Sequence, residues 1–258
     1  MANVLLTGAA GAIGMDLAFS LNQAKINVFA IEADQDNFFL VSKSCKYYNK
    51  VFQAPRAGSE EYINRVNEII TKENIDIVIP NPDFEIGFIS KIRGQIKSPL
   101  FLPSHETVEI LLSKSLTAQK IGDLAPKTFE VSNEADLRLA ISSEKVVWLR
   151  PKTGAGGKGS LIVSDSKFGW MWIEYWKKRG FSSSWIAQEY LDGGNYNVTL
   201  IYDRNSNLCG MGMLERLGYI HEAISPTGVT GDVRMAKTIK LDNVVNIAKN
   251  AVNMIDKN

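Results

Sequence analysis

The sequence predicts an α/β fold: a parallel-sheet domain over residues 1–112, then an α+β region over residues 113–258. Three observations carry this reading. Up to Pro103, short apolar strand patterns alternate with amphipathic helical patterns, the rhythm of a parallel sheet. Beyond that point the rhythm changes, and several strand patterns are separated by short turns. Between two of them lies a loop with four glycines and two lysines.

Val4-Leu5-Leu6 reads as a short buried strand, and Gly8, Gly11 and Gly14 then open a helix through Leu21. Ile26–Ile31 is a second strand, ending at Glu32 and Asp34. Glu61–Thr71 is helical by spacing, with Tyr62, Ile63, Val66, Ile69 and Ile70 on one face. Ile75–Ile79 is a strand stopped by Pro80-Asn81-Pro82, and Pro99–Pro103 reads as another. This is a Rossmann-like βαβ series. Ser104 caps a helix toward Leu112, and Ser113-Lys114 opens one ending near Gly122. Thr128–Val131 is a strand, and Ser132 caps a helix through Ile141. Val146–Arg150 and Leu161–Val163 flank the glycine loop; Phe168–Lys178 is helical and Trp185–Leu191 a strand. Val198–Tyr202 and Leu208–Leu214 pair around a turn at residues 203–207, and Asp242–Ile255 is a final amphipathic helix. Trp172, Tyr175 and Trp176 share one helical face, so they and Trp170 are assigned to packing.

The glycine loop carries the chemistry. Backbone N–H groups freed at Gly154, Gly156, Gly157 and Gly159, beside Arg150, Lys152 and Lys158, suit a polyphosphate. It is not a Walker loop. Lys158 is followed by Gly159 instead of a hydroxyl residue, Lys152 stands where the opening glycine belongs, and the distal flank is a strand. The competing explanation is a solvated hairpin tip, which does not call for so many glycines and cations together.

Bulk numbers narrow the classes. At 258 residues, 45% hydrophobic and 22% charged, the chain is of globular composition. A net charge of +1 argues against a nucleic-acid footprint. Two distant cysteines suggest reduced thiols and no disulfide framework. Two histidines leave little for a zinc site or a Ser-His-Asp triad. The lack of a membrane-length apolar run or a signal-like leader points to the cytoplasm.

The amino-terminal TGAAGAIG, with Glu32 closing the next strand, also fits a dinucleotide turn and an NAD(P)-dependent oxidoreductase. No tyrosine has a lysine four positions on, so the proton-handling pair of the short-chain enzymes is missing. The preferred reading is a turn that closes the sheet and holds some other anion, or none. Downstream, a strand through Gln188, Glu189, Tyr190 and Leu191 enters Asp192-Gly193-Gly194-Asn195. Backbone groups there can read a purine edge, and Asn195 can reach a ribose hydroxyl.

In the order and spacing of these segments the chain resembles the ATP-grasp superfamily, closest to the branch of the carbamoyl-phosphate synthase large subunit and the carboxylate–amine ligases. The segments are VLLTGAAGAIG, IDIVIPNPDFEI, ETVEILLSKSLTAQKIGDLAPKTF, VVWLRPKTGAGGKGS, IAQEYLDGGNYNV and SPTGVTG. The resemblance implies a Rossmann-like domain at 1–112, a lid at about 127–187 and the start of a C-terminal subdomain at 188–258. It implies ATP and Mg2+ as cofactors, carboxylate and amine substrates, and a homodimer. Lys114 and Arg150 would contact the phosphates, residues 154–159 would close over them, and Glu189 and Leu191 would read adenine. Asn195 stands where the family usually has Glu for the ribose. Asp83 and Glu85 would face the substrate cleft. Arg216, after a strand ending at Leu214-Glu215, would hold an acyl phosphate.

The family's late-strand magnesium ligands find no match. Glu222, Asp232, Asp242 and Asp256 lack strand context, and the metal ligands stay unassigned. The expectation is an ATP-grasp region incomplete at its C-terminus. Such a polypeptide would bind nucleotide weakly and turn over poorly, either as a ligase whose metal site comes from a longer chain or as a non-catalytic nucleotide-binding fragment.

Overall fold

A computed structural model describes residues 1–256. The chain divides into two compact units, Met1–Glu109 and one from Ile110 onward. In the first, β1 (Asn3–Thr7), α1 (Ala12–Gln23), β2 (Asn27–Glu32), α2 (Gln35–Ser44), β3 (Lys50–Gln53), α3 (Glu60–Glu73), β4 (Ile77–Ile79) and α4 (Asp83–Lys91) follow in turn. The four strands form a parallel sheet in the order β3-β2-β1-β4. Strand alternation splits β1 between two cores. Leu5 packs with Tyr62, Val66 and Ile69 of α3, while Val4 and Leu6 pack with Ala18 of α1 and Val41 of α2. Each buried Leu, Ile or Val among these contributes roughly 1.5–3 kcal/mol, so the sheet is held from both faces.

Several boundaries move from their sequence expectations. Asp34 does not extend β2 but caps α2, its carboxylate accepting from the N–H of Asp36 and Asn37. The expected strand at Pro99–Pro103 reduces to one bridge, Leu100 beside Val78, because two prolines leave too few ladder donors. Helices α2 and α4 and strand β3 were not read from sequence, their apolar periods being short.

A connecting helix α5 (His105–Leu112) precedes α6 (Lys114–Ile121), where Ser113 Oγ caps the N–H of Leu116. Then come β5 (Thr128–Val131), α7 (Glu134–Glu144), β6 (Val147–Pro151), β7 (Leu161–Val163), α8 (Ser166–Lys178) and β8 (Trp185–Glu189). They form an antiparallel sheet, β5-β8-β6-β7, with the glycine loop joining β6 to β7 as a hairpin. The cap of α7 is Asn133, in a reciprocal capping box with Asp136, and not Ser132. Helices α7 and α8 cover one face of this sheet through Leu137, Ala140 and Ile173 against Val147, Leu149 and Val163. They approach closely at Gly169, where a Cβ would stand 2.7 Å from Leu137.

The last strands are β9 (Tyr196–Tyr202), β10 (Leu208–Tyr219) and β11 (Val233–Thr238), antiparallel in the order β11-β10-β9, followed by α9 (Asp242–Ile255). Strand β10 continues five residues past its expected end at Leu214, across register shifts near Gly218. Arg216 therefore lies inside a strand, not after one. Strand β11 was missed because Arg234 and Lys237 interrupt its apolar signal. No helix among the described residues is long and apolar enough to cross a membrane.

Candidate functional site

Alternation along β6 decides which residues reach the site. Val147, Leu149 and Pro151 are buried, and Trp148 and Arg150 lie on the opposite face. Across the ladder Gln188 pairs with Trp148, so it shares that face, and the Tyr190 ring stacks on Trp148 with centroids 6.2 Å apart and planes within 4°. This face forms one wall of a cavity of about 650 Å3 in the second unit.

The cavity brings together Lys114, Arg150, Gly156, Gly157, Lys158, Tyr190, Leu191, Asn195 and Arg216 from the sequence-derived set. Four are cations, contributed by α6, β6, the glycine loop and β10. Four predicted residues stand elsewhere. Lys152 is ion-paired to Glu130 at 2.9 Å, and with Glu189 it lines a second hollow beside α6. Strand alternation turns Glu189 away from Gln188, and its carboxylate accepts from the Lys127 N–H at 3.3 Å. Gln188, on the same face, is buried and does not reach the cavity, donating to Thr128 Oγ1 at 2.8 Å and accepting from Arg150 Nη2. Gly159 is buried at the loop's end at φ +78°, where a Cβ would meet Trp185 and Pro151 at 3.1–3.2 Å.

Unpartnered polar atoms gather at this cavity. Among the described residues, Trp148 Nε1, Arg150 Nε, Arg216 Nε and Tyr219 Oη are buried with no hydrogen-bond partner, and all four residues line it. Burial pushes the Arg150 guanidinium below its ordinary value, and its Nη2 donates to Gln188 Oε1. Lys114 Nζ donates to the Gly154 carbonyl at 2.5 Å, tying α6 to the loop. Unpaired donors around a cationic cavity mark a place for an acceptor-rich anion.

The structure adds Trp148, Phe181, Glu215 and Tyr219 to the site, and it gives a place there to the turn at 227–231, part of the SPTGVTG segment to which the sequence assigned no site role. That turn packs on the glycine loop, since a Cβ at Gly231 would stand 2.6 Å from Gly156 Cα and one at Gly157 3.1 Å from the Val229 carbonyl. Its GVTG sequence was the available signal. Glu222 and Asp232 flank it. Glu222 accepts from the Tyr219 N–H at 2.7 Å and pairs with Arg234 at 2.9 Å, and Asp232 directly precedes β11. Two carboxylates, Asp192 and Glu215, line the cavity, and no group of three or more His, Cys, Asp or Glu converges among the described residues. Mg2+ at a nucleotide takes one or two carboxylates and completes its shell with water and phosphate. The donor set fits such an ion and does not fit a protein cage.

The amino-terminal glycines have a different role. The Glu32 carboxylate accepts from the N–H of Ala10 at 3.0 Å, Ala33 at 3.0 Å and Asp34 at 3.1 Å. Gly8 is at φ +64° with Pro82 against its missing Cβ, and a Cβ on Gly14 would lie 2.6 Å from the Gly8 carbonyl. The Glu32 carboxylate is thus engaged by one N–H of the glycine turn, Ala10, and by two that follow β2, so Glu32 is not presented to a ribose. Glu85 likewise accepts from Tyr62 Oη at 2.6 Å; burial raises its pKa, against that bond and one from Thr7. Asp83 is exposed in the first turn of α4.

No protein-family model and no curated protein matches the chain. Solved structures do. The biotin carboxylase domain of Hydrogenobacter thermophilus 2-oxoglutarate carboxylase, a dimer in complex with MgADP, ADP and bicarbonate, superimposes with TM-score 0.70 at 11% identity, over 98% of this chain and 58% of that one. Biotin carboxylase from Campylobacter jejuni, in a β-γ-ATP complex, gives 0.68 at 17% identity, over 98% and 59%. D-alanyl-alanine synthetase A from Vibrio cholerae gives 0.60 at 13% identity, over 98% and 80%. The chain thus spans under three fifths of the length of the two carboxylases. What it shares with all three is the ATP-grasp fold.

Proposed function

We propose that the cavity between the β6–β8 wall and the glycine loop binds ATP, in support of an ATP-dependent ligase reaction. The observation that carries this is a hollow beneath a glycine loop that is lined by four cations, two of which, Arg150 and Arg216, have an unpartnered buried Nε, together with the unpartnered Trp148 Nε1 and Tyr219 Oη. A triphosphate supplies the missing acceptors. Lys114, Arg150 and Lys158 hold its oxygens, and the N–H groups at Gly156 and Gly157 add neutral donors. The Trp148–Tyr190 stack and Leu191 offer an apolar shelf to the base. Asn195 offers donor and acceptor atoms to the ribose.

In the reaction, a substrate carboxylate oxygen attacks the γ-phosphorus and the bond to the β-phosphate bridging oxygen breaks, giving an acyl phosphate and ADP. An amine then adds to the acyl carbon, phosphate leaves with the C–O electron pair, and the amine's proton is released. The protein's part is positioning and charge stabilisation. Arg216 neutralises the transferred phosphoryl oxygens, and Asp192 and Glu215 would hold Mg2+, which when bound offsets charge on the phosphates.

Ligand-dependent stabilisation tests the site. ATP with Mg2+ at about a hundred times its Kd should stabilise the folded chain by about 2.7 kcal/mol. Arg150→Ala should remove that stabilisation, and NADH should give none. Equal stabilisation of wild type and Arg150→Ala by ATP, or a response to NADH alone, overturns the assignment.

A further inference from the structure

The tryptophans of α8 pack as the sequence suggests, yet two of them also touch the glycine loop. Residues 153–158 are exposed, and the loop re-enters the fold at buried Gly159 and Ser160. There the Trp172 indole N–H donates to the Gly159 carbonyl at 2.8 Å. One residue earlier, Lys158 Nζ lies 5.8 Å from the ring centroid of Trp176 and 5.2 Å from that of Phe181. The three rings support one another: Trp172 meets Trp176 edge-on at 5.9 Å, and Trp176 meets Phe181 at 5.6 Å. Lys158 and Phe181 both line the cavity.

We infer that Trp172, Trp176 and Phe181 are positioning residues, an aromatic shelf that holds the glycine loop and the Lys158 ammonium at the cavity wall before any ligand arrives. This rests on the ATP reading only for what the ammonium is held to meet. The physical case is independent of it. A loop with four glycines loses much backbone entropy when it orders. A charge held over two ring faces and a carbonyl fixed by an indole N–H offset part of that loss. A polyphosphate then meets a cation already in place, and the affinity that ordering would otherwise consume is retained. The shelf acts on the phosphate end of a nucleotide and not on the base.

Limited trypsin digestion, followed by mass spectrometry, tests the shelf without any nucleotide. The readout is cleavage after Lys158 relative to cleavage after Lys178, which reports the same unit. Trp176→Leu and Phe181→Leu should raise that ratio about two- to fivefold, the loss of exposed cation–ring contacts. Trp172→Phe, which keeps the ring and deletes the donor, should raise it about two- to tenfold. Phe181→Tyr, which keeps the ring face, should stay at the wild-type ratio. Global loosening would raise both cleavages together and leave the ratio unchanged, and that outcome overturns the proposal. With ligands, Trp172→Phe and Trp176→Leu should weaken ATP by similar factors and leave adenosine unchanged. Should wild type bind no ATP while the ratios move as stated, the nucleotide reading fails and the shelf stands. Should ATP bind equally to all variants with unmoved ratios, the shelf fails and the nucleotide site stands.

Discussion

Arg150 lets the stability and the function of the site be separated. Its guanidinium is largely buried on the cavity face of β6, burial depresses its pKa, and its side-chain contact is the bond from Nη2 to Gln188 Oε1. Arg150→Met keeps the stem and removes the charge. In the ligand-free protein two terms oppose. Relief of an uncompensated buried cation is worth several kcal/mol at most. The lost charge-assisted bond, at about 1.5–3 kcal/mol, and the Gln188 oxygen left unpaired, at about 1–3 kcal/mol, act the other way. The single variant should therefore lie within about 1–2 kcal/mol of wild type. Adding Gln188→Leu removes the orphaned oxygen but releases Thr128 Oγ1, which Gln188 Nε2 now engages at 2.8 Å. The double variant should regain about 1–2 kcal/mol, because replacing both partners by apolar groups is close to neutral. Nucleotide binding should fall in both by about 2–3 kcal/mol, or roughly 30- to 150-fold. Urea unfolding followed by tryptophan fluorescence reads the stability, since all five tryptophans lie beyond Ile110, and calorimetric titration reads the affinity. A drop of more than about 3 kcal/mol in the single variant, unrecovered in the double and with ATP affinity intact, would make Arg150 a structural residue and refute the reasoning.

Three further outcomes follow from the geometry. Glu32→Gln should destabilise the first unit by about 2–4 kcal/mol, because its amide must face one of the three N–H donors that the carboxylate accepts; far-UV dichroism should register this while tryptophan fluorescence does not. An unchanged dichroism midpoint would contradict that role. Glu85→Gln carries a pH signature: burial raises the Glu85 pKa, so the folded chain keeps a proton that the unfolded chain releases, and stability is lost as pH rises from 4.5 through the raised value. The variant is neutral throughout, so its stability relative to wild type should climb over that window, and a pH-independent difference would dispose of the idea. Gly231→Ala, whose Cβ would sit 2.6 Å from Gly156 Cα, should push the two loops apart and weaken ATP about tenfold. Its unfolding midpoint should hold, because Gly231 is exposed; a lower midpoint with unchanged affinity would count against a loop-to-loop role.

What could be read from the residues follows the range of the forces involved. Hairpin β6–β7 was legible because alternation and glycine content are local signals, and the same alternation places Trp148 and Arg150 on one face. Lys152 and Glu189 were misplaced because their fate depends on neighbours distant in sequence: Glu130 for the first, and the ladder partner Val147 with the Lys127 N–H for the second. The end of β10 was illegible for another reason. Glu215, Arg216 and Gly218 look like a strand stop, but β11 supplies ladder partners that carry the strand past the end of its β9 pairing to Tyr219. The cavity-facing role of 227–231 needed contact with Gly156 and Gly157, about seventy residues away, which no local pattern reports.

The two glycine clusters show why glycine content alone does not locate an anion site. Both free backbone N–H groups, and both sit at a strand end. At the amino terminus an acidic residue ends the neighbouring strand, and its carboxylate accepts from one N–H of the turn and from two beyond β2, so an internal acceptor already stands there. At the second cluster the nearby charges are Lys114, Arg150, Lys158 and Arg216, with the donors of Trp148, Arg150, Arg216 and Tyr219 left unpartnered. A buried donor without an acceptor costs about 1–3 kcal/mol. A fold carrying several around one hollow holds free energy that an acceptor-rich ligand recovers on binding. The distinguishing variable is therefore whether an internal acceptor already stands at the cluster: Glu32 closes β2 beside the first, whereas β6 brings the Arg150 cation to the second.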